Sequence, residues 1–128
     1  MEPVFLDLDE VIEIHSNQIA RYGGSPGIRD IELLQSVIAM PAAGYSGDYL
    51  HADICEMAAA YLFHIIRNHP FVDGNKRTGA VAALVFLLMN GFELHASEVS
   101  FEAMVRLVAE GKMDKAKAAS FFRKHTHE

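Results

Sequence analysis

Apolar residues recur at helical spacing through most of the 128-residue chain, and nowhere do apolar and polar positions alternate for the length of a strand. Between Leu8 and Tyr22, the residues Val11, Ile14, Ile19 and Tyr22 form one stripe. Asp7 stands at the N-cap position and Glu10, three residues on, completes a capping box. Gly23 and Gly24 stop that helix, since glycine readily takes the left-handed C-terminal conformation. A second helix is predicted from Asp30 through Ala39, with Ile31, Leu34, Val37 and Ile38 inward and Pro41 ending it. The next two differ. From His51 or Ala52 to Asn68, apolar residues cover most of the circumference, and Asn75 to Asn90 repeats that pattern before Gly91 closes it. Helices apolar nearly all round belong at the centre of a domain. "FELHA" reads as a short extended piece, and Ser97 caps a helix to about Gly111. A last amphipathic helix runs from about Asp114 to Lys124, leaving "HTHE" as a frayed polar tail. The pattern predicts an all-α domain over residues 1–128, about six helices around two central buried ones.

Two connections are richer in turn residues. "GGSPG", Gly23 to Gly27, reads as chain punctuation. "AAGYSGDYL", Ala42 to Leu50, holds two glycines and two tyrosines. It reads as a mobile loop or a short hairpin. Either it merely connects, or it is a flap that holds another chain by its backbone.

Composition narrows the class. A chain of this length buries roughly two thirds of its unfolded surface, so it folds without metal or disulfide. The single cysteine, Cys55, lies in an apolar run and reads as a buried, inert thiol. The acidic start "MEPVFLDLDE" lacks the pattern of a signal peptide. The longest apolar run, Ala80 to Met89, is far short of the ~20 residues a membrane span needs. A soluble cytoplasmic protein is expected, with no membrane partner. The net charge of −6 argues against direct binding to nucleic acid. It leaves room for a local anion site at the adjacent Lys76 and Arg77.

That pair belongs to "NHPFVDGNKRTG", a polar stretch between the two most apolar helices. Pro70 disfavours helical geometry at His69, so one helix ends near Asn68 and the other begins at Asn75. Two rigid helices thus hold a short loop at one end of the core. The first amides of the second helix have no intrahelical partner and make an anion site. Lys76 and Arg77 oppose the helix dipole there, and a bound anion would relieve the cost. The Asn75 amide can turn toward a phosphate oxygen or cap the helix. Asp73 is a hard oxygen ligand beside that site, suited to magnesium shared with substrate phosphates. His69 can take a proton from a hydroxyl near neutral pH. Each residue alone has a plainer reading: turn, helix cap, solvated face. Lys76 lacks the preceding glycine of a phosphate-binding P-loop. His64 and His69 do not share a helix face and no HExxH occurs, which argues against a histidine metal site. The conjunction, in one loop, points to phosphate chemistry.

"HPFVDGNKRTG" resembles the signature of the Fic/Doc family, HxFx[DE]GNxR, matching at His69, Phe71, Asp73, Gly74, Asn75 and Arg77. "RYGGSPGIRD" followed by "LLQSVIAMP" resembles the amino-terminal half of the Doc branch, so the similarity covers nearly the whole chain. It implies a Fic-type helical bundle with a short flap. It implies His69 as general base toward a target hydroxyl and Asp73 as the magnesium ligand. Gly74 and Asn75 would form the phosphate-binding anion hole, with Lys76 and Arg77 also binding the nucleotide and joining His69 and Asp73 as catalytic residues. Gly44, Tyr45 and Tyr49 would lie in the flap that aligns the target peptide. The chain departs from AMP-transferring relatives, which read GNGRxxR: Lys76 replaces the second glycine and Ala80 the second arginine. In the Doc branch this departure goes with an inverted nucleotide and transfer of the ATP γ-phosphate to a translation factor, elongation factor Tu, which arrests translation. AMP transfer to a protein hydroxyl, or a catalytically silent binding module of the same fold, are the alternatives. The inhibitory [ST]xxxE[GN] helix of self-regulated relatives is not matched by "RLVAEG", Arg106 to Gly111. The resemblance therefore implies an antitoxin acting in trans.

Overall fold

The computed structural model describes residues 2–128. Its order is α1 (Leu8–Tyr22), α2 (Ile31–Ala39), a 3-10 turn (Met40–Ala42), β1 (Gly44–Tyr45), β2 (Asp48–Tyr49), α3 (Ile54–Asn68), α4 (Asn75–Met89), β3 (Glu93–Leu94), α5 (Glu98–Ala109), α6 (Lys115–His125) and β4 (Thr126–His127). The architecture is all-α with two small two-stranded ribbons.

Local signals set the helix starts. The amide of Glu10 donates to Asp7 Oδ1 at 2.8 Å and the amide of Asp7 donates back to Glu10 Oε1 at 3.0 Å, so the capping box is formed. Asp30, Asp53, Ser97 and Asp114 cap α2, α3, α5 and α6 in the same way with a side-chain oxygen. The α4 helix is the exception. Its N-cap is Gly74, which has no side chain to offer.

Three expectations need correction. Ile31 does not face inward; it is 45% exposed, one turn ahead of the buried Leu34. The α2 helix does end at Ala39, and Pro41 sits in the 3-10 turn that follows, where its missing amide is harmless. The α3 helix starts at Ile54 because Asp53 caps it, leaving His51 buried ahead of the helix. The "HTHE" segment is not frayed. Thr126 and His127 pair antiparallel with Leu94 and Glu93. Thr126 Oγ1 also donates to the Phe122 carbonyl at 2.7 Å. Its polarity reflects an exposed ribbon, not a lack of structure.

The helix α3 is central, with nine of its side chains buried, and α4 and α6 pack against it while α1 covers α4. Tyr61, Phe86, Phe122, Leu34 and Ile65 are among the fully buried side chains that fill the space between these layers. Cys55 is buried with a thiol pushed up by burial, and it lies against Thr126 Oγ1. Among the described residues no helix is long and apolar enough to cross a membrane. The segment Ala42–Leu50 forms a hairpin, Gly44 opposite Tyr49 and Tyr45 opposite Asp48. Its two turn residues, Ser46 and Gly47, both have positive φ, as a tight two-residue hairpin turn requires.

The seam between α3 and α6 holds a basic cluster. Lys115 Nζ lies 3.1 Å from His51 Nε2 and 3.2 Å from His64 Nε2. An ammonium only donates, so both imidazoles accept through Nε2 and are neutral there. Burial, then Lys115, then His51 push the His64 pKa down to about 4. His51 is lowered by the same two causes, burial and Lys115, with Glu56 opposing. Both pKa values are depressed on folding, so the unfolded chain binds more protons as pH falls from 6.5 towards 4. Stability is therefore full above pH 6.5 and lost across that window. After discounting for the partial exposure of His64, the loss is on the order of 2 kcal/mol. Urea midpoints measured from pH 7 to pH 4 are expected to fall, and His64→Leu to flatten that slope.

Candidate active site

The loop His69–Gly74 emerges where α3 ends and α4 begins. His69 follows α3 in the left-handed conformation, φ 49° and ψ 56°. For a residue other than glycine this costs roughly 1–3 kcal/mol. The exposed imidazole is thus kept at a position where glycine would be relaxed. Arg29 holds the turn in place. Its Nη2 donates to the Asn68 carbonyl at 2.9 Å and its Nε to the His69 carbonyl.

Beyond His69 the chain dives inward. Pro70 and Phe71 are buried, and Phe71 forms an isolated β-bridge with Ile28. Asn75, itself buried, reaches back. Its Oδ1 accepts from the Phe71 amide at 3.0 Å and its Nδ2 donates to the Phe71 carbonyl at 3.0 Å. The side-chain amide therefore neither caps α4 nor faces outward; it closes the loop on itself.

Asp73 then returns to the surface. Its Oδ2 accepts from the Ser25 amide at 3.0 Å and its Oδ1 from the Gly74 amide at 2.8 Å. These two bonds, with Arg77 and His15 adding, hold its carboxyl below the usual carboxylate range. The carboxylate is exposed and keeps free lone pairs.

Arg77 is turned toward the end of α1. Its Nη2 donates to the Gly23 carbonyl at 2.8 Å, its Nη1 to the Gln18 carbonyl at 3.4 Å, and the guanidinium lies 5.8 Å from the Tyr22 ring centre. The negative end of the α1 dipole attracts a cation. The guanidinium still flanks the loop: a Cβ on Gly74 would lie 3.7 Å from Nη2. Lys76 extends into solvent on the first turn of α4. His69, Asp73, Gly74, Asn75, Lys76 and Arg77, with Val72, line one cleft of about 460 Å³.

The hairpin residues lie on a separate surface hollow. Tyr45 is 86% exposed, whereas Tyr49 is tied down, its hydroxyl 3.3 Å from Glu2 Oε2 and its ring 5.6 Å from that of Phe5. Both strands are short and exposed on both faces.

Two parts of the site escaped the sequence reading. The first is the segment 23–30, whose leading part "GGSPG" reads in the sequence only as chain punctuation. It is the wall of the loop. The Val72 amide donates to the Gly27 carbonyl at 3.1 Å, and the Arg29 amide to the Pro70 carbonyl at 2.8 Å. Gly24, at φ 115°, is needed for the close approach, since a Cβ would lie 2.8 Å from Asp73 Oδ2. The signal available was the density of glycine before a charged residue, with no local reason for it. The second is His15, a polar residue on the buried face of α1. It is 4% exposed, its ring stacks on Phe71 at 3.9 Å and 5°, and its Nε2 lies 2.8 Å from the Asp73 carbonyl. One polar residue in an apolar stripe was its only trace.

A six-helix bundle with such a loop between its central helices is a Fic-type arrangement, and the model of the Fic/DOC family matches residues 5–87. The chain belongs to the Fic/DOC family. It is 37% identical over 89 residues to the protein kinase Doc of Escherichia phage P1, covering 70% of each chain. It is 39% identical over 92 residues to the toxin Doc of Mycolicibacterium smegmatis, covering 72% of this chain and 68% of the relative.

Proposed function

We propose that the chain is a toxin of a toxin–antitoxin pair that moves the γ-phosphoryl group of ATP to a serine or threonine hydroxyl of a translation factor resembling elongation factor Tu. The observation that carries the chemistry is the uncapped start of α4, opening into a cleft beside an exposed imidazole and an ionised carboxylate. The names of the two relatives, a protein kinase and a toxin, support the reaction class and the biological role.

In this reading the amides of α4 and the Lys76 ammonium receive the nucleotide's phosphate oxygens. His69 accepts the proton of the target hydroxyl. The hydroxyl oxygen bonds to the γ-phosphorus, the bond to the β,γ-bridging oxygen breaks, and ADP leaves. Arg77, tethered to α1, sets the rim of the cleft and adds positive potential. The family implies magnesium, and the donor set fits it. Asp73 is ionised, and its exposed carboxylate lines the cleft. One carboxylate plus substrate phosphates is the usual magnesium arrangement, and the ion supplies charge neutralisation on the nucleotide. The hairpin Gly44–Tyr49 offers strand edges to an extended target peptide, with Tyr45 free to contact it. An antitoxin segment would fit the groove of about 300 Å³ between α1 and α4, where Leu6, Ile14, Val81 and Val85 are rimmed by Glu10 and Glu13.

The deciding experiment uses ATP labelled at either the α- or the γ-phosphorus, with magnesium and purified elongation factor Tu. Label from the γ-position alone is expected on the target. Label from the α-position alone would replace this reading with AMP transfer. No label from either, with a His69→Ala protein as toxic as the parent, would leave a binding module.

A further inference from the structure

We infer that His15 is a positioning residue for the anion site, acting through the Asp73–Gly74 peptide; the inference rests on the reading of that loop as catalytic. A carbonyl oxygen only accepts, so the 2.8 Å contact with Asp73 places a hydrogen on His15 Nε2. The Asp73 carbonyl and the Gly74 amide belong to one planar unit. Holding the carbonyl therefore aims the amide, and that amide donates to Asp73 Oδ1 at 2.8 Å. A single imidazole contact thus sets the direction of the Gly74 amide, and through it that of the carboxylate beside the anion site. Gly74 has no Cβ to restrict the plane by itself, and its positive φ of 76° lies in a region where glycine moves freely. The ring is fixed in turn. It is buried on α1 and lies parallel to Phe71, whose backbone Asn75 clamps at both ends. His15 does not line the cleft, so its effect on the reaction is through geometry.

Two variants separate the contributions. His15→Phe keeps an aromatic ring against Phe71 and removes the donor. His15→Gln restores a donor without the ring. At saturating ATP and target, His15→Phe is expected to lower turnover by about 10- to 100-fold, the scale of a sub-ångström to 1 Å misplacement of reacting groups. The half-saturating magnesium concentration should rise while KM for the target protein holds, and His15→Gln should recover part of the turnover. Turnover is scored as label from either phosphorus, so the result is independent of which group moves. Nitrogen-15 spectra of the unaltered protein need neither turnover nor a folded variant. They should show the His15 hydrogen on Nε2, with slow exchange. A bare Nε2, or a His15→Phe protein with parental turnover and magnesium requirement, would overturn the inference. A parent that transfers no label while its His15 carries the Nε2 hydrogen would refute the proposed reaction and leave the positioning contact standing.

Discussion

Replacing His69 with glycine should cost at least about 100-fold in transfer rate, the lower bound for losing a general base, while leaving the protein at least as resistant to urea as its parent. The two halves of that expectation have separate causes. The imidazole is exposed and lies on the cleft, so its loss removes a proton acceptor and almost no packing. The backbone at this position is left-handed, φ 49°. Glycine relieves about 1 kcal/mol or more of strain there, offset by about 0.4–1 kcal/mol of added freedom in the unfolded chain. His69→Ala retains the strain and should match the glycine variant in activity but not in stability. Side-by-side urea melts and label-transfer rates of the three proteins test this. A clear loss of stability in His69→Gly would mean the left-handed turn is held by the side chain, and would weaken its assignment as a base.

Replacing Asn75 with alanine should act the opposite way, on stability first. Two hydrogen bonds to the buried backbone of Phe71 disappear, and both Phe71 groups lose their partner in a site closed to water. At about 1–3 kcal/mol for each of the two buried groups left unpaired, the loss is on the order of 2–6 kcal/mol. The denaturant midpoint should drop with an unchanged slope, and label transfer should fall with it because the loop is no longer closed. Asn75→Asp keeps one acceptor but faces a carboxylate to the Phe71 carbonyl, so it should not rescue. An alanine variant with parental stability would show that His15 and Arg29 suffice to shape the loop.

Four of the six helices were legible because each carries its own start signal. Asp7 with Glu10, Asp30, Ser97 and Asp114 stand beside periodic apolar residues, and the structure places N-caps at all of them. The start of α3 was misplaced by a few residues because His51 and Ala52 continue the apolar pattern while the cap, Asp53, sits inside it. The cleft residues from His69 to Arg77 were legible as a group because they are contiguous. What directs them was not. Gly24, Ser25 and Arg29 act on a loop roughly forty to fifty residues away in the chain, and His15 is further still. Periodicity carries no record of such long-range pairs. Asn75 and Arg77 show the same limit at closer range. Their types suit phosphate, yet their side chains turn to Phe71 and to the end of α1 because unpaired backbone groups there attract them. The tail strand was missed for a related reason: a two-residue ribbon has too few positions to display a period.

The wall formed by residues 24–30 bears on any attempt to transplant this chemistry. A graft of the signature alone into another helical hairpin would import the side chains without their scaffold. Arg29 steadies the turn at His69, Ser25 holds the Asp73 carboxylate, and Gly24 leaves room for it. The smallest portable unit is therefore discontinuous: the α3–α4 corner together with the final turns of α1 and the strap that follows them.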